Sequence, residues 1–107
     1  TMFEEQYRDL WAATDELAER IRALGEYAPG TYAEFSKLTE IQEDNSVPTA
    51  KQMIANLVKG HETVTRVARK VADTADEADD QATADLLTAR MAANEKYAWM
   101  LRSMLEE

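Results

Sequence analysis

The stretch Thr1 to Gly25, TMFEEQYRDLWAATDELAERIRALG, decides the fold. Phe3, Tyr7, Leu10, Thr14, Leu17, Ile21 and Leu24 alternate three and four positions apart. That is the heptad seam of an amphipathic helix, and it predicts one from about Met2 to Leu24. Thr1 and Glu4 have the spacing of a capping box at its start. Gly25, which tolerates left-handed backbone, ends it.

Further along the chain the same periodicity returns twice. Glu26 to Pro48 is a break: Ala28-Pro29-Gly30-Thr31 reads as a turn, Thr31 caps a short helix over Tyr32 to Leu38, and Glu40 to Val47 reads as loop. Pro48 is placed for the first turn of a second long helix, about Thr49 to Asp76. Its stripe is Ile54, Leu57, His61, Val64, Ala68, Val71 and Ala75. Gly60 sits inside it at a cost of up to about 1 kcal/mol relative to Ala, which a close helix contact would explain. Asp79 or Asp80 caps a third helix, about Gln81 to Leu105. One stripe there is Leu87, Met91, Asn94, Ala98, Leu101 and Leu105; Leu86, Ala93, Tyr97, Met100 and Met104 widen it. Trp99 and Trp11 lie off their stripes. The reading is all-α: three long helices and a short linker helix in an antiparallel bundle, one domain over 1–107. The extra apolar surface calls for a further helix or a partner subunit.

Composition bounds the function. The chain has 107 residues and is 45% apolar, enough for one core. Twelve Lys and Arg against twenty-one Asp and Glu leave a net charge of −9, so the clustered basic footprint of nucleic-acid binding is missing. The short group Lys59, Arg66, Arg69 and Lys70 faces heavy acidic competition. With no Cys, disulfides, thiol catalysis and Cys-based zinc sites are excluded. Nothing in the chain has the length and apolarity of a membrane span, and no signal-peptide pattern is visible, so the expectation is cytoplasmic. The chain begins with Thr1, already helical in pattern. The expectation is therefore a removed leader or part of a longer protein.

The functional groups in supply are carboxylates. Asp15 and Glu19 are four apart and project from one helix face, with Trp11 four before Asp15. Such a pair can grip Fe(II), Mn(II) or Mg(II); equally it can be a solvated face. Asp73, Asp76, Glu77, Asp79, Asp80 and Asp85 lie within thirteen residues that contain no Lys or Arg. Helix capping explains one or two of them, and a cation funnel would use the rest. Glu4 and Glu5 are a weaker pair, with solubility as the ordinary reading. The single His61 sits on an apolar stripe, more in keeping with a core or interface residue than a catalyst.

Asp15-Glu16-Leu17-Ala18-Glu19-Arg20-Ile21 followed by Leu24-Gly25 resembles the D-x-x-A-E-R-I-x-x-L-G signature of the Dps-type mini-ferritins (DNA-binding protein from starved cells). Pro29-Gly30-Thr31 resembles the family's turn into its interhelical helix. Asp80 with Thr83-Ala84-Asp85-Leu86-Leu87 resembles its D-x-x-T-A-D-x-L motif, and Glu95-Lys96-Tyr97-Ala98-Trp99-Met100-Leu101 its closing segment. The resemblance covers the whole chain. It implies a ferritin-like four-helix bundle assembling as a hollow homo-oligomer, a dodecamer, that oxidises Fe(II), preferentially with hydrogen peroxide, and stores ferric mineral. By position it implies Asp15 and Glu19 as ferroxidase ligands, shared across a two-fold interface with two His from the neighbouring subunit. It implies Asp80 and Asp85, with Asp79 or Asp76, at the iron-admitting three-fold pore, Glu4 and Glu5 in mineral nucleation, and Trp99 near the site or its interface, as Trp11 is by its spacing from Asp15. The family's first helix, with its His, has no counterpart; the second His would fall just before Thr1, and His61 matches neither. DNA binding is not expected of this chain. The rival expectations are a non-enzymatic helical interaction module, docking a partner around Trp11 and Trp99, and an inactive ferritin-like fragment.

Overall fold

The computed structural model describes residues 1–106 and holds four helices: α1 (Met2–Ala23), α2 (Tyr32–Leu38), α3 (Ala50–Glu77) and α4 (Gln81–Leu105). Among the described residues there is no strand, and no helix is long and apolar enough to cross a membrane. The chain forms two compact units, Thr1–Glu40 and Ile41–Glu107.

In the first unit, the Thr1 hydroxyl accepts the Glu4 N–H at 3.4 Å, with Glu4 and Glu5 in the first turn and Arg20 and Arg22 in the last, each sign where the helix dipole favours it. Gly25, at φ +96°, closes α1. Its N–H bonds the Arg22 carbonyl at 3.0 Å and the Glu26 N–H reaches Ile21 at 3.2 Å, the paired bonds of a Schellman ending. Arg22 then lies 4.5 Å over the Tyr27 ring and donates to the Glu26 carbonyl. The predicted seam is only partly the covered face. Gln6 is buried and Met2, Leu10, Ala13, Leu17 and Ile21 are half-buried, while Phe3, Tyr7 and Leu24 stay exposed. Tyr7 stacks on Trp11 instead. The short helix α2 exists because Thr31 and Glu34 cap it reciprocally. Glu34 accepts the N–H of Gly30 and of Thr31 at 3.3 and 3.2 Å. These bonds, Gly30's first, hold its carboxyl below the usual carboxylate range.

The second unit is an antiparallel hairpin of α3 and α4. Thr49 caps α3 in a second capping box with Gln52. Pro48 thus stands just outside the helix, before the cap, and not in its first turn: a hydroxyl can accept the Gln52 N–H at 3.2 Å, a bond no proline side chain can make. Asp44 ties the preceding loop to α3 by accepting from the Ser46 N–H and hydroxyl and from Asn56. The Ser46 hydroxyl first, then its N–H, draws the Asp44 carboxyl below its usual range.

The hairpin core is made of Val58, His61, Thr65, Ala68, Ala72 and Ala75 against Ala84, Leu87, Asn94, Ala98 and Leu101. The α4 stripe is as predicted. The α3 stripe is turned: His61, Ala68 and Ala75 are inside, but Leu57 and Val71 are exposed, with Val58, Thr65 and Ala72 in their place. Small side chains on α3 admit the leucines of α4, and the bulky ones are displaced to the flank. The close contact expected at Gly60 is absent, since a Cβ built there meets nothing within 4 Å. Gly60→Ala is therefore expected to raise stability by about 0.5–1 kcal/mol, measured by denaturant unfolding. A loss of stability would show that a neighbour needs that space.

Candidate functional site

Asp15 and Glu19 lie on α1, one turn apart and both exposed. A helix returns to the same side after four residues, so their carboxylates flank one patch. Trp11, one turn before Asp15, is 65% exposed. Tyr7, a turn earlier again, stacks on it at 6.5 Å between ring centroids and 25° between planes. One side of α1 thus runs aromatic, aromatic, carboxylate, carboxylate. Glu4 is bridged to Arg8 at 2.7 Å and Glu5 is exposed; both also sit where a helix start favours acids. Trp99 lies on α4, 63% exposed.

The acidic run from Asp73 to Asp85 divides by role. Asp79 adopts φ +57°, the left-handed region. Its N–H bonds the Asp76 carbonyl at 3.1 Å and the Asp80 N–H bonds Ala75 at 2.8 Å, a second Schellman ending built on Asp where Gly is usual. Asp80 is the cap of α4, accepting from the Thr83 N–H and hydroxyl. Asp85 accepts from Gln81 one turn back at 2.8 Å. Asp73, Asp76 and Glu77 are exposed.

His61 is a core residue, 5% exposed, with Nδ1 at 3.1 Å from the Asn94 amide nitrogen and its ring tilted against Tyr97. Burial first, and Arg90 second, hold its pKa below the usual imidazole value. Asn94 is wholly buried and its role was missed by sequence reasoning. The signal was present as a His and an Asn on two apolar stripes, but only the hairpin register shows that they meet. The basic group is split by pairing: Arg69 reaches Glu95 at 3.7 Å and Arg66 donates to Thr63. With Arg102, paired to Glu62 at 3.4 Å, they edge a groove of about 210 Å³ between α3 and α4. Among the described residues no three His, Cys, Asp or Glu side chains converge to hold a metal. The Asp15–Glu19 pair supplies oxygen donors of the right hardness for iron, but fewer than an iron ion takes.

Residues 1–107, the full chain, match the family described as ferritin-like domain. The chain belongs to the ferritin-like family. Within it the resemblance is to Dps proteins. Dps from Thermosynechococcus elongatus superposes with a TM-score of 0.94 at 33% identity, over 99% of this chain and 68% of that one. Dps from Vibrio cholerae O1, described as a member of a broad superfamily of ferritin-like diiron-carboxylate proteins, superposes at 0.91 and 31% identity, over 97% and 65%. An uncharacterized low temperature-induced protein of Nostoc is 44% identical over 107 residues, 98% of this chain. The chain spans 60% of that relative's length. The all-α architecture expected from the helical stripes, and the ferritin-like fold that the resemblance implies, are thereby borne out.

The turn roles of the acids in this ferritin-like chain are testable apart from any metal. Asp80→Ala should cost about 1 kcal/mol through the lost cap. Asp79→Gly should gain about 0.5–1 kcal/mol by relieving left-handed strain. Thermal unfolding without metal checks both; a gain from Asp80→Ala would mean that repulsion among the acids outweighs capping.

Proposed function

We propose that this chain carries the carboxylate half of a ferroxidase centre in an iron-storing Dps-type assembly. The observation that carries the reading is the exposed Asp15–Glu19 pair on α1, within a chain that matches a ferritin-like domain from end to end. The diiron-carboxylate description of the Vibrio cholerae relative supports iron as the metal handled.

Fe(II) is the substrate. Asp15 and Glu19 bind it through oxygen, and two His from a neighbouring subunit complete the donor set across a two-fold interface. This division of ligands answers the shortage of donors in a single chain. Oxygen anions favour the smaller, harder Fe(III), so the pair tilts the couple toward oxidation. Hydrogen peroxide, the preferred oxidant, takes one electron from each of two Fe(II) ions and two protons from the solvent and leaves as two water molecules, so no hydroxyl radical is released. Asp80 and Asp85, repeated about a three-fold axis of a dodecamer, draw Fe(II) inward by their negative potential. Glu4 and Glu5 seed the ferric mineral on the inner wall, and Trp11 and Trp99 lie near the site or its interface.

The test is size-exclusion chromatography of the intact protein after Fe(II) and peroxide, following protein and ferric absorbance together. Ferric iron is expected to elute with an assembly on the order of twelve chains. Asp15→Ala with Glu19→Gln should abolish fast oxidation while leaving assembly size unchanged. Unchanged oxidation in that variant would sink the site assignment. Ferric precipitate beside a small iron-free protein would instead favour an inactive ferritin-like fragment or a helical interaction module.

A further inference from the structure

A wholly buried Asn and a nearly buried His meet in the middle of the α3–α4 core, where apolar packing would have sufficed. On α4, Arg90 Nε donates to Asn94 Oδ1 at 2.7 Å from one turn away. That bond occupies the amide oxygen and turns the NH₂ group toward α3, where it stands 3.1 Å from His61 Nδ1. An amide NH₂ only donates, so Nδ1 must be the acceptor and the ring proton of the neutral imidazole sits on Nε2. Flipping the amide does not rescue the opposite arrangement, since it would turn NH₂ against the Arg90 N–H. The arginine therefore locks the asparagine, and the asparagine sets the tautomer of the histidine.

We propose that the Arg90–Asn94–His61 relay is an acid-sensitive latch between α3 and α4, closed while the imidazole is neutral and opened by its protonation. A proton on Nδ1 sets donor against donor, removes the cross-helix bond, and leaves a charge on a ring that is 5% exposed. The groups that face the ring from α4 include Asn94, Tyr97, whose ring lies 5.5 Å away, and Arg90, whose positive charge also opposes protonation. Glu62 and Glu95, the carboxylates nearest to His61 and Asn94 in sequence, are on the flank and are bridged to Arg102 and Arg69. The folded imidazole titrates below its unfolded value, so the unfolded chain takes up the proton first as pH falls. Stability is then level above about pH 6.5 and declines below it, until the folded imidazole is also charged.

The chain has one His, so ¹³C- and ¹⁵N-histidine labelling of the intact protein gives one imidazole to follow by NMR, alongside denaturant unfolding from pH 7.5 to 5.5. The expected result is an Nε2–H tautomer, a titration midpoint below 6.5, and a transition that moves to lower denaturant as pH falls through that range. Asn94→Asp places an acceptor between Arg90 and His61, so it should move the midpoint above 6.5 and reverse the pH trend. Arg90→Met, which keeps the apolar stem, should raise the midpoint without the reversal and serves if the Asp variant does not fold. A wild-type midpoint at or above 6.5, an Nδ1–H tautomer, or a midpoint unmoved in both variants would overturn the latch.

Discussion

Alanine lets α3 and α4 come together. Ala68, Ala72 and Ala75 on one helix and Ala84 and Ala98 on the other leave little between the backbones but methyl groups, with Leu87 and Leu101 filling what remains. A seam of this kind cannot absorb a larger side chain without separating the helices. It also leaves few apolar contacts per residue, which is why the polar insertion of Asn94 and His61 matters. In a seam of small residues, a hydrogen-bonded pair specifies register in a way that methyl groups cannot.

Within each unit the helices are held at their ends by local bonding. Thr31 with Glu34 and Thr49 with Gln52 are reciprocal capping boxes, Thr1 and Asp80 cap by side-chain oxygen, and Schellman bonds close α1 and α3. These devices answer the unsatisfied groups at helix ends. They are also the most legible part of the sequence, because a cap depends on neighbours within four positions. All four helices could be placed to within a residue or so for this reason, and the one displaced element was Pro48, where a proline and a better cap stood side by side.

Faces were harder to read than ends. Leu57, Val64 and Val71 outrank Val58, Thr65 and Ala72 in hydrophobicity, so the pattern puts them inside. Packing prefers the smaller set, because the facing helix already brings the bulk. Gly60 looked like a contact point because glycine inside a helix is costly, yet nothing lies near it. The carboxylate pair was legible as a shared helical face, since Asp15 and Glu19 need only the geometry of one helix. Its meaning came from resemblance, and the proposed completion by a neighbouring subunit lies beyond any single-chain pattern. Asn94 was seen as a position and not as a bridge, because a bond between residues 61 and 94 depends on how two helices register.

The turn between α3 and α4 spans only Ala78 to Asp80. Its brevity bears on the order in which the chain acquires structure. With so few residues to close, the first contacts across the hairpin cost little loop entropy, and each further pair forms next to one already made. Folding can proceed as a zipper from the turn toward the open ends, the regime of short sequence separation in which helical proteins fold fastest. The turn acids would then matter kinetically as well as structurally. In such a zipper they stand at the starting end, and the His61–Asn94 bond lies well up the stem.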